Sequence, residues 1–200
     1  MTHGRDEAVS KLMLGRYTRG GLWSLFLMCA LPQHAWTLIL AFRDLDWLTE
    51  RTNAWDAIGV LSYGLLFALV ESALLFLVAV LLGLIVPRGW EPDRRIRLLG
   101  SFMLVLSFWA IVAQWFFLAE VQLPAVLLGW LRASAHPLRW IYGFLLGVSL
   151  ASVLLPAWAV VRKGRGSQFL GAAIDRLGLL AMLYLVFDVA AAVIVVIRNL

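Results

Sequence analysis

Charged residues are scarce in this sequence. Asp, Glu, Lys and Arg together make up 14% of its 200 residues, whereas hydrophobic residues make up 62%. Soluble domains contain about 25% charged and about 45–50% apolar residues, and a chain of this length has too little interior volume to bury so much apolar surface. The composition therefore excludes a water-soluble enzyme, a disordered chain and a secreted disulfide scaffold, and it predicts a polytopic membrane protein.

The sequence also lacks the motifs of common catalytic sites. It contains a single cysteine, Cys29, which cannot form an internal disulfide or a paired-cysteine metal site. It has no GxxxxGK[ST] phosphate loop, no HExxH zinc motif and no GxSxG nucleophile motif. Because the predicted cytoplasmic loops are short, any enzyme in this chain would have to work inside the bilayer.

Five apolar segments are long enough to cross a bilayer, which requires about 20 helical residues. They cover residues 21–42, 57–86, 98–118, 139–161 and 177–197. Because backbone groups in lipid must bond within their own segment, runs of this length are helices. The sequence predicts an all-α transmembrane bundle of five spans.

The polar and shorter apolar segments complete this prediction. Residues 1–20 are polar and basic and are expected to form a cytoplasmic tail. Residues 121–133 are apolar but too short to span, so we expect an interfacial segment there. Residues 1–200 would then form a single integral membrane domain.

The basic residues indicate how the chain is oriented. Of the 17 Lys and Arg residues, four lie in residues 1–20, four in 88–97 and four in 162–176, against five on the opposite side. Basic residues concentrate on the cytoplasmic side, so we expect a cytoplasmic N-terminus, an outside C-terminus and insertion in the plasma (inner) membrane. Nucleic acid is not expected as a partner, since the basic residues flank apolar spans. Six of them are candidates for contacts with anionic lipid headgroups: Arg94, Arg95, Arg97, Arg162, Lys163 and Arg165.

A weak internal repeat relates spans 2 and 3 to spans 4 and 5. When the chain is shifted by about 79 residues, the Tyr-Gly pair at 63–64 falls on 142–143, and the Arg-Leu pair at 97–98 falls on 176–177. Parallel repeats occur in transporters, with sites at the repeat interface. Two apolar hairpins also resemble each other through composition alone, so both explanations stay open.

Three polar residues lie near the middle of predicted spans. They are His34 in span 1, Glu71 in span 2 and Asp188 in span 5. A charged group at the bilayer centre costs about 2.5–3.5 kcal/mol on insertion scales, so such residues point to a function. If their helices face one another, the three form one cluster that can bind a proton or a cation. Alternatively, each acid serves assembly, bonded to a neighbouring helix or to a partner subunit.

Five further residues are candidates for a helix kink or a cavity. Pro32 and Pro156 interrupt spans 1 and 4, and each frees a backbone carbonyl four residues earlier. Ser149 and Ser152 lie beside the second interruption, and Gln114 lies in span 3. Interrupted helices line many sites in membrane proteins.

These observations support three functional hypotheses. The first is an accessory or scaffolding subunit of a larger membrane complex without catalytic activity, bound to other subunits or to a second copy. The second is a small proton- or cation-coupled transporter that uses the three membrane-depth residues. The third is an intramembrane enzyme that modifies a lipid. No cofactor or metal is predicted, and a pigment or haem held by His34 is the weak exception.

Overall fold

The computed structural model describes residues 17–87, 89–119, 122, 124–162 and 165–200. Within these residues the chain forms seven helices and no strand. In chain order the helices are α1 (Arg19–Arg43), α2 (Leu45–Arg51), α3 (Ala54–Leu82), α4 (Pro92–Leu118), α5 (Ala125–Ala133), α6 (Pro137–Val161) and α7 (Arg165–Asn199). Five of them, α1, α3, α4, α6 and α7, are long and apolar enough to cross a membrane. The predicted all-α bundle with five spans is confirmed.

The start of α1 differs from the predicted tail. Thr18 caps the helix, since its side-chain oxygen accepts from the backbone N–H of Gly21 at 3.0 Å. Tyr17 is buried, and its hydroxyl donates to the carbonyl of Val80 at the end of α3, at 3.0 Å. The last residues of the expected tail therefore belong to the bundle, and residues 1–16 lie outside the described residues.

Several other boundaries differ from the predicted spans, including the start of α4, which is at Pro92 rather than residue 98. Helix α3 ends at Leu82 because residues 83–86 turn, with the N–H of Leu84 donating to Leu81 and that of Ile85 to Leu82. Helix α7 begins well before residue 177 and has 35 residues. At about 1.5 Å per residue it is longer than a hydrocarbon core of about 30 Å, so its polar first turns continue directly into the span.

Helix α1 forms the centre of the bundle and packs against α3, α4 and α7. About 50% of its apolar stretch is buried within the protein, against 6% for α6. Glycines permit the close approach: Gly64 of α3 lies against Thr37, and Gly100 of α4 and Gly178 of α7 both lie against Met28. Helix α6 lies at the periphery against α4 and α7, so its apolar outer surface faces lipid.

The end of α7 is fixed to the start of α3. The Arg198 guanidinium donates to Asp56 Oδ1 at 2.8 Å and to the Trp55 carbonyl. Asn199 Nδ2 donates to the Tyr63 hydroxyl at 2.7 Å. These bonds set the register of α3 against α7, and with it the depth at which polar residues of the two helices lie.

The glycine at 178 provides a test of the packing around α1. A methyl group there would lie 3.6 Å from Leu27 Cδ1 and 3.8 Å from Met28 Cε, which is ordinary contact. We therefore expect Gly178→Ala to retain wild-type stability. Gly178→Leu overpacks the interface and should lower the free energy of unfolding by about 1–3 kcal/mol, measured by denaturant unfolding in detergent micelles.

Gly147→Leu is the matched control, because a Cβ atom at Gly147 on α6 would meet nothing within 4 Å and the position is exposed. Equal destabilisation by Gly147→Leu and Gly178→Leu would contradict the central position of α1.

Candidate functional site

His34 and Asp188 meet in the interior of the bundle. His34 Nε2 lies 3.0 Å from Asp188 Oδ1 and 2.9 Å from Oδ2. His34 is fully buried and Asp188 is 4% exposed. The two residues come from α1 and α7 and are 154 positions apart in sequence. Two of the three membrane-depth residues singled out in the sequence are thus brought together.

The other ring nitrogen of His34 determines how this pair is protonated. His34 Nδ1 lies 2.8 Å from the carbonyl oxygen of Ala30, one turn earlier in α1. A carbonyl oxygen can only accept, so Nδ1 carries the hydrogen. Nε2 then either donates to an ionised Asp188 or accepts from a protonated Asp188. One proton occupies the contact in both arrangements.

The two arrangements have the same net charge. An imidazolium beside a carboxylate sums to zero, and so does a neutral imidazole beside a carboxylic acid. Burial strongly disfavours an uncompensated charge, and loss of the proton would leave the Nε2 lone pair facing a carboxylate. The His34–Asp188 contact is therefore neutral overall when it contains one proton.

Apolar and aromatic side chains surround the pair. The Tyr184 ring, one turn before Asp188 on α7, stacks nearly parallel to the His34 ring, with centroids 6.0 Å apart and planes at 5°. Leu31 and Ala181 are buried in the adjoining cluster, and Pro32 is also buried. His34 continues a helical stripe from Leu31, and Asp188 continues one from Ala181 and Tyr184, so both fall on the core faces of their helices.

Glu71 does not join His34 and Asp188. It is half-buried on α3, and the described residues contain no group of three His, Cys, Asp or Glu side chains close enough to hold a metal ion. The buried stripe of α3 passes through Ala68 and Ser72. Glu71 lies about 100° round the helix from Ser72, towards the face on which Phe67 is exposed. The cluster of three expected from shared depth therefore reduces to a pair.

One of the kink candidates, Ser152, joins two helices through a hydrogen bond. Trp109 Nε1 on α4 donates to Ser152 Oγ at 2.9 Å, and Ser152 Oγ donates to the carbonyl of Ser149 at 2.7 Å. Pro156 is half-buried within α6, and Gln114 is exposed on α4. None of these side chains lines the cavity of about 560 Å³ found between α1, α2 and α3.

Arg94 binds the end of a neighbouring helix. Its Nε donates to the carbonyl of Val160 at 3.2 Å and its Nη2 to that of Val161 at 2.6 Å. These are among the last carbonyls of α6, which lack helical partners and carry the negative end of the helix dipole. The guanidinium also lies over the Trp90 ring, 4.1 Å from its centroid. Arg94 therefore joins α4 to α6.

Arg95 is 1% exposed, so the prediction that it contacts lipid headgroups is wrong. Its Nη2 donates to the carbonyl of Pro87 at 2.9 Å, and its guanidinium lies 5.7 Å from the Tyr17 ring centroid. A signal for this was present in the sequence, because Arg95 precedes Leu99 and Met103 by one and two turns, and all three lie on the buried face of α4.

Two of the other headgroup candidates, Arg97 and Arg162, lie nearer the surface. The Arg97 guanidinium packs against Gly171 of α7. Arg162 is exposed, with its guanidinium 4.3 Å from the Trp158 ring centroid. Lys163 and the side chain of Arg165 lie outside the described residues.

The surroundings of His34 do not fit a haem or pigment ligand. Axial ligation requires a ring nitrogen with a free lone pair, and both ring nitrogens of His34 are bonded within the chain. No known protein family, curated protein or solved structure matches this chain. The geometry of the described residues is therefore the basis for the proposed function.

Substitution of Asp188 tests the hydrogen bond. Asp188→Asn can donate from its amide to the Nε2 lone pair, so we expect stability close to that of the wild type. Asp188→Ala leaves Nε2 buried without a partner and should lower the free energy of unfolding by about 1–3 kcal/mol more than Asp188→Asn does.

Denaturant unfolding in mixed micelles measures this difference. In a His34→Ala background the hydrogen-bond partner is absent. The difference in free energy of unfolding between Asn and Ala at position 188 should then be much smaller. If Asn and Ala at position 188 destabilise the protein equally in both backgrounds, the bond does not stabilise the fold.

Proposed function

We propose that this chain is an accessory or scaffolding subunit of a larger membrane complex and has no catalytic activity of its own. The observation that supports this is a contrast between its two membrane-depth acids. Asp188 is buried and bonded to His34. Glu71 is half-buried at membrane depth and has no hydrogen bond or ion pair among the residues that the structure describes.

The surroundings of Glu71 are suited to a second transmembrane helix. Phe67 and Leu74 on the adjoining face of α3 are 65% and 59% exposed. This face is open to lipid or to another protein, and Glu71 lies at its edge beside α1. A neighbouring helix that covers Phe67 and Leu74 would also reach the carboxyl group.

A second polar side chain lies on the same edge. Gln33 of α1 is half-buried and, like Glu71, has no hydrogen bond among the described residues. Thr37 packs against Gly64, so these two residues lie at the same depth. Towards the N-terminal end of α1, Gln33 lies four residues beyond Thr37, and in the same direction Glu71 lies seven residues beyond Gly64. The two polar side chains therefore differ in depth by three residues, or about 4.5 Å. We infer that one partner helix can reach both side chains.

The energetic argument favours a polar partner. An unpaired charged carboxyl at the bilayer centre costs about 2.5–3.5 kcal/mol. Hydrogen bonds between transmembrane helices contribute about 0.6–2 kcal/mol each. We propose that the partner presents a Lys, Arg or amide side chain at this depth. The cytoplasmic N-terminus and the plasma (inner) membrane belong to the same proposal and are supported by the uneven distribution of basic residues.

A second candidate function is proton coupling. It is favoured by the His34–Asp188 geometry, in which one proton is held between two heteroatoms. Transport would require a water path to this pair, and both side chains are buried. The hypothesis of a lipid-modifying enzyme has less support, because Arg94 and Arg95 bind backbone carbonyls of the chain itself.

Substitution of Glu71 tests the scaffolding proposal. In a mild detergent extract the wild-type protein should migrate as an assembly larger than its own 22.3 kDa chain in a micelle. We expect Glu71→Leu to release the chain from this assembly, whereas Glu71→Gln, which retains hydrogen bonding, should retain part of it. The size of the assembly is measured by native mass spectrometry.

Leu155→Ala is the control, since Leu155 is an exposed apolar residue of the peripheral helix α6, away from the proposed interface on α3. A wild-type protein that is a single chain under these conditions would contradict the proposal. So would labelling of cysteines at positions 71 and 188 by a small water-soluble reagent in intact membranes, in a Cys29→Ala background, because this would show an aqueous pathway and favour transport.

A further inference from the structure

A cavity of about 560 Å³ lies between the end of α1, helix α2 and the first half of α3. Its wall is mostly apolar and includes Leu40, Ala41, Leu48 and Val60. The volume is within the range of about 300–1,000 Å³ found for small-molecule sites. The cavity is separate from the His34–Asp188 pair, and none of its lining residues is Glu71 or Gln33.

The reversal of the chain at Asp44 creates this space. The N–H of Asp44 donates to the carbonyl of Leu40 at 3.0 Å and ends α1, and the carbonyl of Asp44 accepts from Leu48 at 2.9 Å and begins α2. Helix α2 has only seven residues, so it covers one side of the space and leaves another open. Ala41 in the wall is small, which leaves room on this side of α1.

Asp44, which lines the cavity, forms an ion pair with the adjacent Arg43, and the pair has unused bonding capacity. Arg43 Nε donates to Asp44 Oδ1 at 2.7 Å and Nη2 donates to Oδ2 at 2.9 Å. This hydrogen bonding holds the pKa of the Asp44 carboxyl below its ordinary value, so the group is ionised at neutral pH. Both side chains are exposed. A guanidinium has five N–H donors and a carboxylate about four acceptor positions, so each can bind a further group.

The position of the mouth matches the headgroup region of a bilayer. It lies where the apolar span of α1 ends, and the exposed Trp47 ring forms part of the cavity wall. Tryptophan is enriched at this depth because its ring has an apolar body and a polar N–H. An occupant with an apolar chain and a polar head would place each part in matching surroundings.

The charges at the mouth select among lipid headgroups. The Arg43–Asp44 pair has no net charge, which suits a zwitterion. A phosphate can accept from Arg43 and an ammonium can donate to Asp44, whereas a choline headgroup has no N–H to donate. The adjoining α2 contains Asp46, Glu50 and Arg51, with the Arg51 guanidinium over the Trp47 ring, so an anionic headgroup would meet a helix with net negative charge. We propose that this cavity binds one acyl chain of a phosphatidylethanolamine-type lipid, with its phosphate on Arg43 and its ammonium on Asp44.

Lipid retention tests this proposal. The protein is equilibrated in nanodiscs with equal amounts of phosphatidylethanolamine, phosphatidylcholine and phosphatidylglycerol, then released and analysed by native mass spectrometry. Wild type should retain phosphatidylethanolamine above the other two. Ala41→Trp fills the cavity and should reduce that retention by about tenfold or more, since the loss of about two buried methylene groups suffices for this.

Phe42→Trp is the matched control, because Phe42 is adjacent, 72% exposed and outside the cavity wall. Val60→Phe fills the same space from α3 and replaces Ala41→Trp if that variant does not fold. Asp44→Asn should remove the preference for ethanolamine over choline while an acyl chain is still retained.

Three outcomes would overturn the proposal. The first is equal retention of the three lipids by the wild type. The second is equal retention of phosphatidylethanolamine by Ala41→Trp or Val60→Phe and by Phe42→Trp. The third is that filling the cavity releases a second protein chain rather than a lipid.

Discussion

The hydrogen bond from His34 Nδ1 to the Ala30 carbonyl fixes the chemistry of the bundle interior. It places a hydrogen on Nδ1, so the Nε2–Asp188 contact is neutral overall only when it contains one proton. That proton allows a histidine and an aspartate to be buried together without net charge. The contact also joins the first and last spans. The packing of α1 at the centre, the packing of α7 against it and the neutrality of the His34–Asp188 pair therefore depend on one another.

The two membrane-depth acids differ because their helices present different faces. Asp188 lies on the stripe that α7 shows to α1, and its partner comes from the same chain. Glu71 lies at the edge of the exposed side of α3, close in depth to Gln33. An acid that is hydrogen-bonded within its own chain stabilises that chain, whereas an acid at an open edge can bind a second chain. This difference, rather than acidity at membrane depth alone, favours assembly as the function.

Hydropathy in the sequence predicts how deep each residue lies but gives little information on which way it points. The five spans and the shared depth of His34 and Asp188 follow from the length of the apolar runs, because the bilayer imposes a fixed helix length. The direction of a side chain round its helix depends on packing between helices. For this reason Glu71 was grouped with the pair, and Arg95 was expected at headgroups although it is buried. The early end of α3 likewise depends on tertiary packing, since Tyr17 packs on Gly83 there.

The location of protons on His34 tests the central claim most directly. Nitrogen-15 NMR of ring-labelled histidine, with the protein in lipid bilayers and the signal assigned by its loss in His34→Gln, reports which ring nitrogen carries hydrogen. The expected result is a hydrogen on Nδ1, with one further proton shared between Nε2 and Asp188. A neutral ring with its only hydrogen on Nε2 would contradict it, because the Ala30 carbonyl would then have no donor at Nδ1.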